Sequence, residues 1–167
     1  LARGVGHPSG IVAGQAWEAE PGVRLLAYHR AKTAALFEAA CVLGAMSTGH
    51  DPGPWRVVGE LLGRAYQVAD DVADAVEPEE STGKTAKRDR ENGRPSAYDR
   101  LGEVECRRLV ERLLHDASDA VPSCAGREPL RAWLERVSVG VLAIRAPSLA
   151  QASPCGVRHE QALRLAK

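Results

Sequence analysis

Aromatic side chains are scarce in this sequence, at 4% of residues, and β-branched residues are too thinly spread for many strands. Such a balance disfavours sheet and leaves packed helices as the expected fold class, all-α. Charge of one sign is also missing: 22 Lys and Arg offset 22 Asp and Glu. A neutral chain has no electrostatic drive toward nucleic acid, so no nucleic-acid partner is expected. The four cysteines, Cys41, Cys106, Cys124 and Cys155, stand far apart without a CxxC pair. They read as reduced thiols in a cytoplasmic protein, not as a disulfide or zinc framework. No apolar run approaches the ~18 residues that a membrane span needs, and no signal peptide is visible.

What is present is a chain of 167 residues, 44% hydrophobic, enough for one domain with a core. It opens at Leu1 without an initiator methionine, and is expected to be a piece of a longer protein. Gly4, Gly6, Pro8 and Gly10 suggest a loop at the start. A short helical turn is expected over 11–18, where Gly14 would let another helix approach closely. After Pro21-Gly22, apolar residues at three- and four-residue steps predict a long helix from Val23 to Met46, buried on most sides. His29, Lys32 and Thr33 lie on its first half, which makes Lys32 a candidate pocket lysine. Asp51 is a candidate N-cap for a second core helix, Pro54 to Val76. Two amphipathic helices are expected over 103–120 and 128–144. Val104, Leu109, Leu113 and Leu114 would face inward from one, Leu130, Leu134, Val137 and Val141 from the other.

The second core helix carries the most informative stretch, Tyr66-Gln67-Val68-Ala69-Asp70-Asp71-Val72-Ala73-Asp74. At 3.6 residues per turn, Asp70 and Asp74 stack on one face with Asp71 at its edge. Like charges this close repel and raise one another's pKa. A solvated acidic helix end is the simpler alternative, but Val68, Ala69, Val72 and Ala73 make the surroundings apolar. Neutralisation by a hard divalent cation with oxygen ligands fits better, with Asp70, Asp71 and Asp74 as metal ligands.

Composition then changes sharply from Glu77 to Asp99, and the charge sign flips from acidic to basic at Lys84, Lys87, Arg88, Arg90 and Arg94. A patternless loop of this length is often a lid or binding loop. A cationic loop beside an acidic cluster is the arrangement that holds a metal-bound phosphate from both sides. Gly83-Lys84 is not a Walker A loop, because Pro78 stands where the first glycine is needed.

Taken in order, Gly14-Gln15, His29-x-x-Lys32-Thr33, Gln67-x-x-Asp70-Asp71-x-x-Asp74, Gly83-Lys84 and Asp89 resemble the C-terminal half of a trans-isoprenyl diphosphate synthase. The pattern is most similar to bacterial geranylgeranyl and farnesyl diphosphate synthases of the carotenoid type. It spans about Gly10 to Leu149, which sets residues 1–149 as the C-terminal part of a polyprenyl synthase domain and 150–167 as a tail of unassigned role. Two departures are mild: Tyr66 stands where Phe is common, and Glu18 where Asp is common.

The resemblance implies the C-terminal part of an isoprenoid-synthase helical bundle, and head-to-tail prenyl transfer from an allylic diphosphate to isopentenyl diphosphate, giving geranylgeranyl diphosphate. It implies Mg²⁺, or Mn²⁺, assisting ionisation, with Asp70, Asp71 and Asp74 as the second aspartate-rich motif. Lys32 and Lys84 would contact the allylic diphosphate, Thr33 and Gln67 would line its site, and Asp89 would order the lid. A homodimer is implied for the complete protein. The first aspartate-rich motif of such synthases is absent here, so this chain is expected to be inactive by itself. The alternative is a non-catalytic helical subunit that modulates a full-length synthase.

Overall fold

The structure, a computed structural model, describes residues 1–20, 22–76 and 94–143. Every regular element among the described residues is helical. They run α1 (Ala2–Val5), α2 (Ile11–Trp17), α3 (Leu25–His29), a π-helical turn (Arg30–Ala34), α4 (Ala35–Ser47), α5 (Pro52–Val76), α6 (Ala97–Leu101), α7 (Glu103–Asp119) and α8 (Arg127–Ala143).

Helix α5 is the axis. Its 25 residues extend roughly 38 Å at 1.5 Å per residue. Asp51 caps it, accepting from the Gly53 N–H at 3.0 Å, with Pro52 at the first helical position, where a missing N–H costs nothing. One side of α5 packs on the π-helical turn and α4, and the other on α7. Gly59 and Gly63, one turn apart, set the first contact. A Cβ on Gly63 would lie 2.4 Å from the Ala34 Cα, and one on Gly59 would lie 2.6 Å from the Glu38 Cα. These backbones can approach only because both glycines lack side chains. On the other side Val68 and Val72 of α5 join Leu109, Val110, Leu113 and Leu114 of α7 and Tyr28 of α3 in one core. A second cluster of Val58, Val121 and Leu134 ties α8 to the start of α5.

The long helix expected over Val23–Met46 forms as one run, Leu25–Ser47, interrupted by the π-helical turn. One extra residue in that turn rotates everything beyond it by about 100° relative to a straight α-helix. Other expectations need correction. Helix α4 is not buried on most sides: among its residues only Ala45 is buried, because its apolar composition did not specify which faces have neighbours. Val104 is exposed, since the inward face of α7 runs through Cys106, Leu109, Val110, Leu113 and Leu114. Residues 2–5 form a helical turn instead of loop, with Gly4 fitted against the Ala35 carbonyl. The patternless stretch ends earlier than Asp99, at α6, whose N-cap Ser96 accepts from the Asp99 N–H at a long 3.5 Å. Gly102, at φ 77°, makes the left-handed corner between α6 and α7. No helix among the described residues is long and apolar enough to cross a membrane.

Candidate functional site

The site residues gather where the π-helical turn crosses α5. Thr33, in that turn, donates its hydroxyl to Gln67 Oε1 on α5. The Gln67 amide in turn donates to Asp71 Oδ1 one turn further along, at 3.0 Å. Gln67 is itself buried, so its two hydrogen bonds satisfy groups that water cannot reach. π-Helical turns inside longer helices occur often at functional sites. This one carries both Lys32 and Thr33.

Asp71 is not arranged as a third outward carboxylate. Besides Gln67, its Oδ2 accepts from the Ala97 N–H at 2.6 Å. The Nε2 of His29, a buried residue, lies 3.1 Å from the same oxygen. That pair meets the distance of an ion pair but not the angle of a hydrogen bond, and His29 Nε2 has no hydrogen-bond partner. The expectation that Asp71 awaits an external cation therefore meets a carboxylate already engaged by protein donors from α5 and α6. Asp70 is half-buried and Asp74 exposed. Among the described residues no group of three or more His, Cys, Asp or Glu converges to hold a metal ion. Asp70 and Asp74, spaced one turn apart, are a pair of hard oxygen donors. Such a pair suits Mg²⁺, which keeps several waters and takes one or two carboxylates plus substrate phosphate oxygens.

Lys32 belongs to a second network that sequence reasoning missed. Its Nζ donates to Glu18 Oε1 at 2.8 Å and to the Tyr28 hydroxyl at 2.7 Å. The Tyr28 hydroxyl donates to the same Glu18 oxygen at 3.0 Å, and Arg94 reaches Glu18 Oε2 at 2.9 Å. Burial works to raise the Glu18 carboxyl. Lys32 outweighs it through hydrogen bond and charge, helped by Tyr28 and Arg94, and holds Glu18 below the ordinary carboxylate value. Burial likewise works to lower Lys32, but Glu18 and Tyr28 leave it above the usual ammonium value. Burial, first of all, pushes Tyr28 up to about 12. Lys32 is thus a firmly charged cation.

The signal for Glu18 was present in the sequence. A Cβ on Gly14 would lie 2.4 Å from the Lys32 backbone N, so the close approach expected at Gly14 is made, and its partner is Lys32. Glu18 stands four residues after Gly14, on the same helical face, and so meets the Lys32 side chain. Lys84 and Asp89, with Gly83, lie outside the described residues, as does the tail at 150–167.

These helices have known counterparts. The sequence profile of the polyprenyl synthetase family matches residues 9–100. A geranylgeranyl diphosphate synthase of Cereibacter sphaeroides is 40% identical over 149 residues, covering 87% of this chain and 52% of its own length. One from Rhodobacter capsulatus is 44% identical over 125 residues, covering 75% of this chain and 43% of its own length. A crystal structure of a geranyltransferase from Helicobacter pylori, complexed with magnesium and isoprenyl diphosphate, superposes with a TM-score of 0.65. At 23% identity, over 86% of this chain and 50% of that one, the likeness is one of fold. The chain belongs to the polyprenyl synthetase family. It spans about half the length of the curated relatives it matches.

Proposed function

We propose that this chain carries the allylic-diphosphate side of a prenyl transferase active site, as the C-terminal part of a geranylgeranyl diphosphate synthase. The observation that supports it most is the junction of the π-helical turn with α5, where Thr33 is bonded through Gln67 to Asp71, with Lys32 and Asp70 their neighbours in sequence. The two bacterial relatives favour a geranylgeranyl over a farnesyl product.

In this reading the allylic C–O bond breaks, diphosphate leaves as an anion, and the double bond of isopentenyl diphosphate attacks the allylic cation. The new tertiary cation loses a proton to the departed diphosphate, re-forming a double bond. Asp70 and Asp74 are the residues that would hold Mg²⁺, or Mn²⁺, beside the diphosphate. When bound, the metal supplies fixed positive charge where charge develops on the leaving group. Lys32 offers a charged N–H donor to a non-bridging oxygen, stronger than a neutral donor. Thr33 and Gln67 fix the wall of the site, and Asp71 holds Gln67 and the start of α6 in register. Lys84 is assigned to the allylic diphosphate and Asp89 to ordering the lid, on the resemblance of their motif. The complete protein is read as a cytoplasmic homodimer.

A second reading, a non-catalytic partner subunit, is favoured by one feature. Leu43, Met46, Val57 and Tyr66 are all exposed on α4 and α5, and exposed large apolar side chains on adjoining helices suit a protein interface. Calorimetry with geranyl diphosphate separates the two. The synthase reading expects binding that needs Mg²⁺, vanishes with a chelator, and weakens at least about tenfold in Asp70→Ala/Asp74→Ala. Binding indifferent to metal and to both aspartates would sink it.

A further inference from the structure

A lysine ammonium sits on a flexible four-carbon stem with rotatable donors, so its direction is set by what it touches. Lys32 touches two groups. Its Nζ donates to the Tyr28 hydroxyl at 2.7 Å and pairs with Glu18 Oε1 at 2.8 Å. An ammonium has three N–H donors, and once two are directed its tetrahedral shape fixes the third. The Lys32 side chain is 27% exposed, so a ligand can reach it, and one donor remains for that ligand. The backbone of Lys32 is held as well. A Cβ on Gly14 would lie 2.4 Å from its N, so α2 sits directly against it.

Of the two partners, Tyr28 is the one rooted in the core. It is 2% exposed, packs in one cluster with Leu25, Val68 and Leu109, and stands beside the His29 ring. A tyrosine has only two side-chain torsions, so little freedom is left once its ring is packed. Its hydroxyl acts in both directions, accepting from Lys32 and donating to Glu18 Oε1 at 3.0 Å. Burial pushes the phenol up to about 12, so it keeps the proton for that second bond well above neutral pH. The rigidity of the core is thereby passed to the end of a flexible side chain.

We propose that Tyr28 is a positioning residue whose hydroxyl turns the Lys32 ammonium so that its third N–H meets the diphosphate, without touching the diphosphate itself. This rests on the assignment of the site to a diphosphate, and adds to it the group that orients the lysine. Tyr28→Phe keeps a ring in the core and removes the hydroxyl alone. Lys32 then loses one of its two partners and regains a freedom that binding must remove.

The test is calorimetric binding of inorganic diphosphate with Mg²⁺ to the full chain, with thermal unfolding recorded for each variant. The expected result is about fivefold weaker binding in Tyr28→Phe, the scale of ordering one long side chain on binding. In a Lys32→Met background the same change should cost less than about twofold, because the group that Tyr28 orients has gone. Should Tyr28→Phe not fold, Tyr28→Leu carries the same cycle. Should Lys32→Met bind too weakly to measure, nitrogen NMR relaxation of the Lys32 ammonium decides, and a freer ammonium in Tyr28→Phe is expected. An equal penalty in both backgrounds, unchanged or tighter binding in Tyr28→Phe, or an ammonium no freer in that variant would overturn the proposal. Absence of binding by the unmutated chain would instead overturn the diphosphate assignment, and this inference with it.

Discussion

The backbone N–H of Ala97 donates to Asp71 Oδ2 at 2.6 Å, a hydrogen bond that joins residues 26 apart in sequence. It fastens the start of α6 to the middle of α5, beside the His29 ring and the Gln67 amide. Ala97 is fully buried, so no water can replace the acceptor. Asp71→Ala should therefore cost roughly 1–3 kcal/mol, the penalty of a buried donor left unsatisfied. Asp74→Ala, at an exposed position, should stay within about 0.5 kcal/mol. Urea unfolding of the two variants decides it. Equal effects would mean that Asp71 does not have this structural role.

Glycine substitutions should divide by what a new Cβ would meet. At Gly63 it would lie 2.4 Å from the Ala34 Cα, a backbone atom that cannot swing aside. Gly63→Ala should destabilise by about 1–3 kcal/mol through overpacking. At Gly44, in α4, nothing lies within 4 Å. There alanine should be neutral or stabilising by up to about 1 kcal/mol, since it is the better helix former. Thermal unfolding of both variants checks the ordering.

The Glu18 network should shape stability at both ends of the pH range. The folded chain holds Glu18 below its ordinary 4.5. A depressed carboxyl contributes stability above the unfolded value and loses it as pH falls through the folded one. Stability should thus decline below pH 4.5, and more gently in Glu18→Gln than in the unmutated chain. Lys32 and Tyr28 are shifted upward, Tyr28 to about 12 from 10.0. Groups raised on folding stabilise fully below their unfolded values, and that contribution fades as pH rises through the folded ones. A second decline should appear between pH 10.0 and about 12, reduced in Tyr28→Phe. Urea midpoints across pH provide the measurement, and identical profiles for these variants would contradict it.

Much of this was legible in residue order, for a physical reason. Helix periodicity is local, so α5, α7 and α8 run within two residues of where the apolar spacing puts them. Gly14 signalled a close approach because only a missing side chain permits one. Three features escaped, each set by groups far apart in sequence. Asp71 looked equivalent to Asp70 because helical spacing says nothing of the Ala97 N–H that turns it inward. Glu18 looked like a mild departure because its cations lie 14 and 76 residues away. The π-helical turn has no residue-level signature in Arg30–Ala34, and forms where Gly14 and Gly63 bring two backbones against it.

In the proposed synthase Asp70 holds metal against an allylic diphosphate, and this chain supplies one side of the site. This arrangement is tested most directly by prenyl transfer from an allylic diphosphate to labelled isopentenyl diphosphate. The chain is assayed alone and after co-expression with the N-terminal half of the Cereibacter sphaeroides synthase, its 40% identical relative. Expected are no turnover by the chain alone and Mg²⁺-dependent turnover by the assembled halves. That turnover should fall at least about a hundredfold in Asp70→Ala, the scale of losing preorganised charge in the transition state. Full turnover of Asp70→Ala in Mg²⁺, or prenyl diphosphate made by the chain alone, would contradict it.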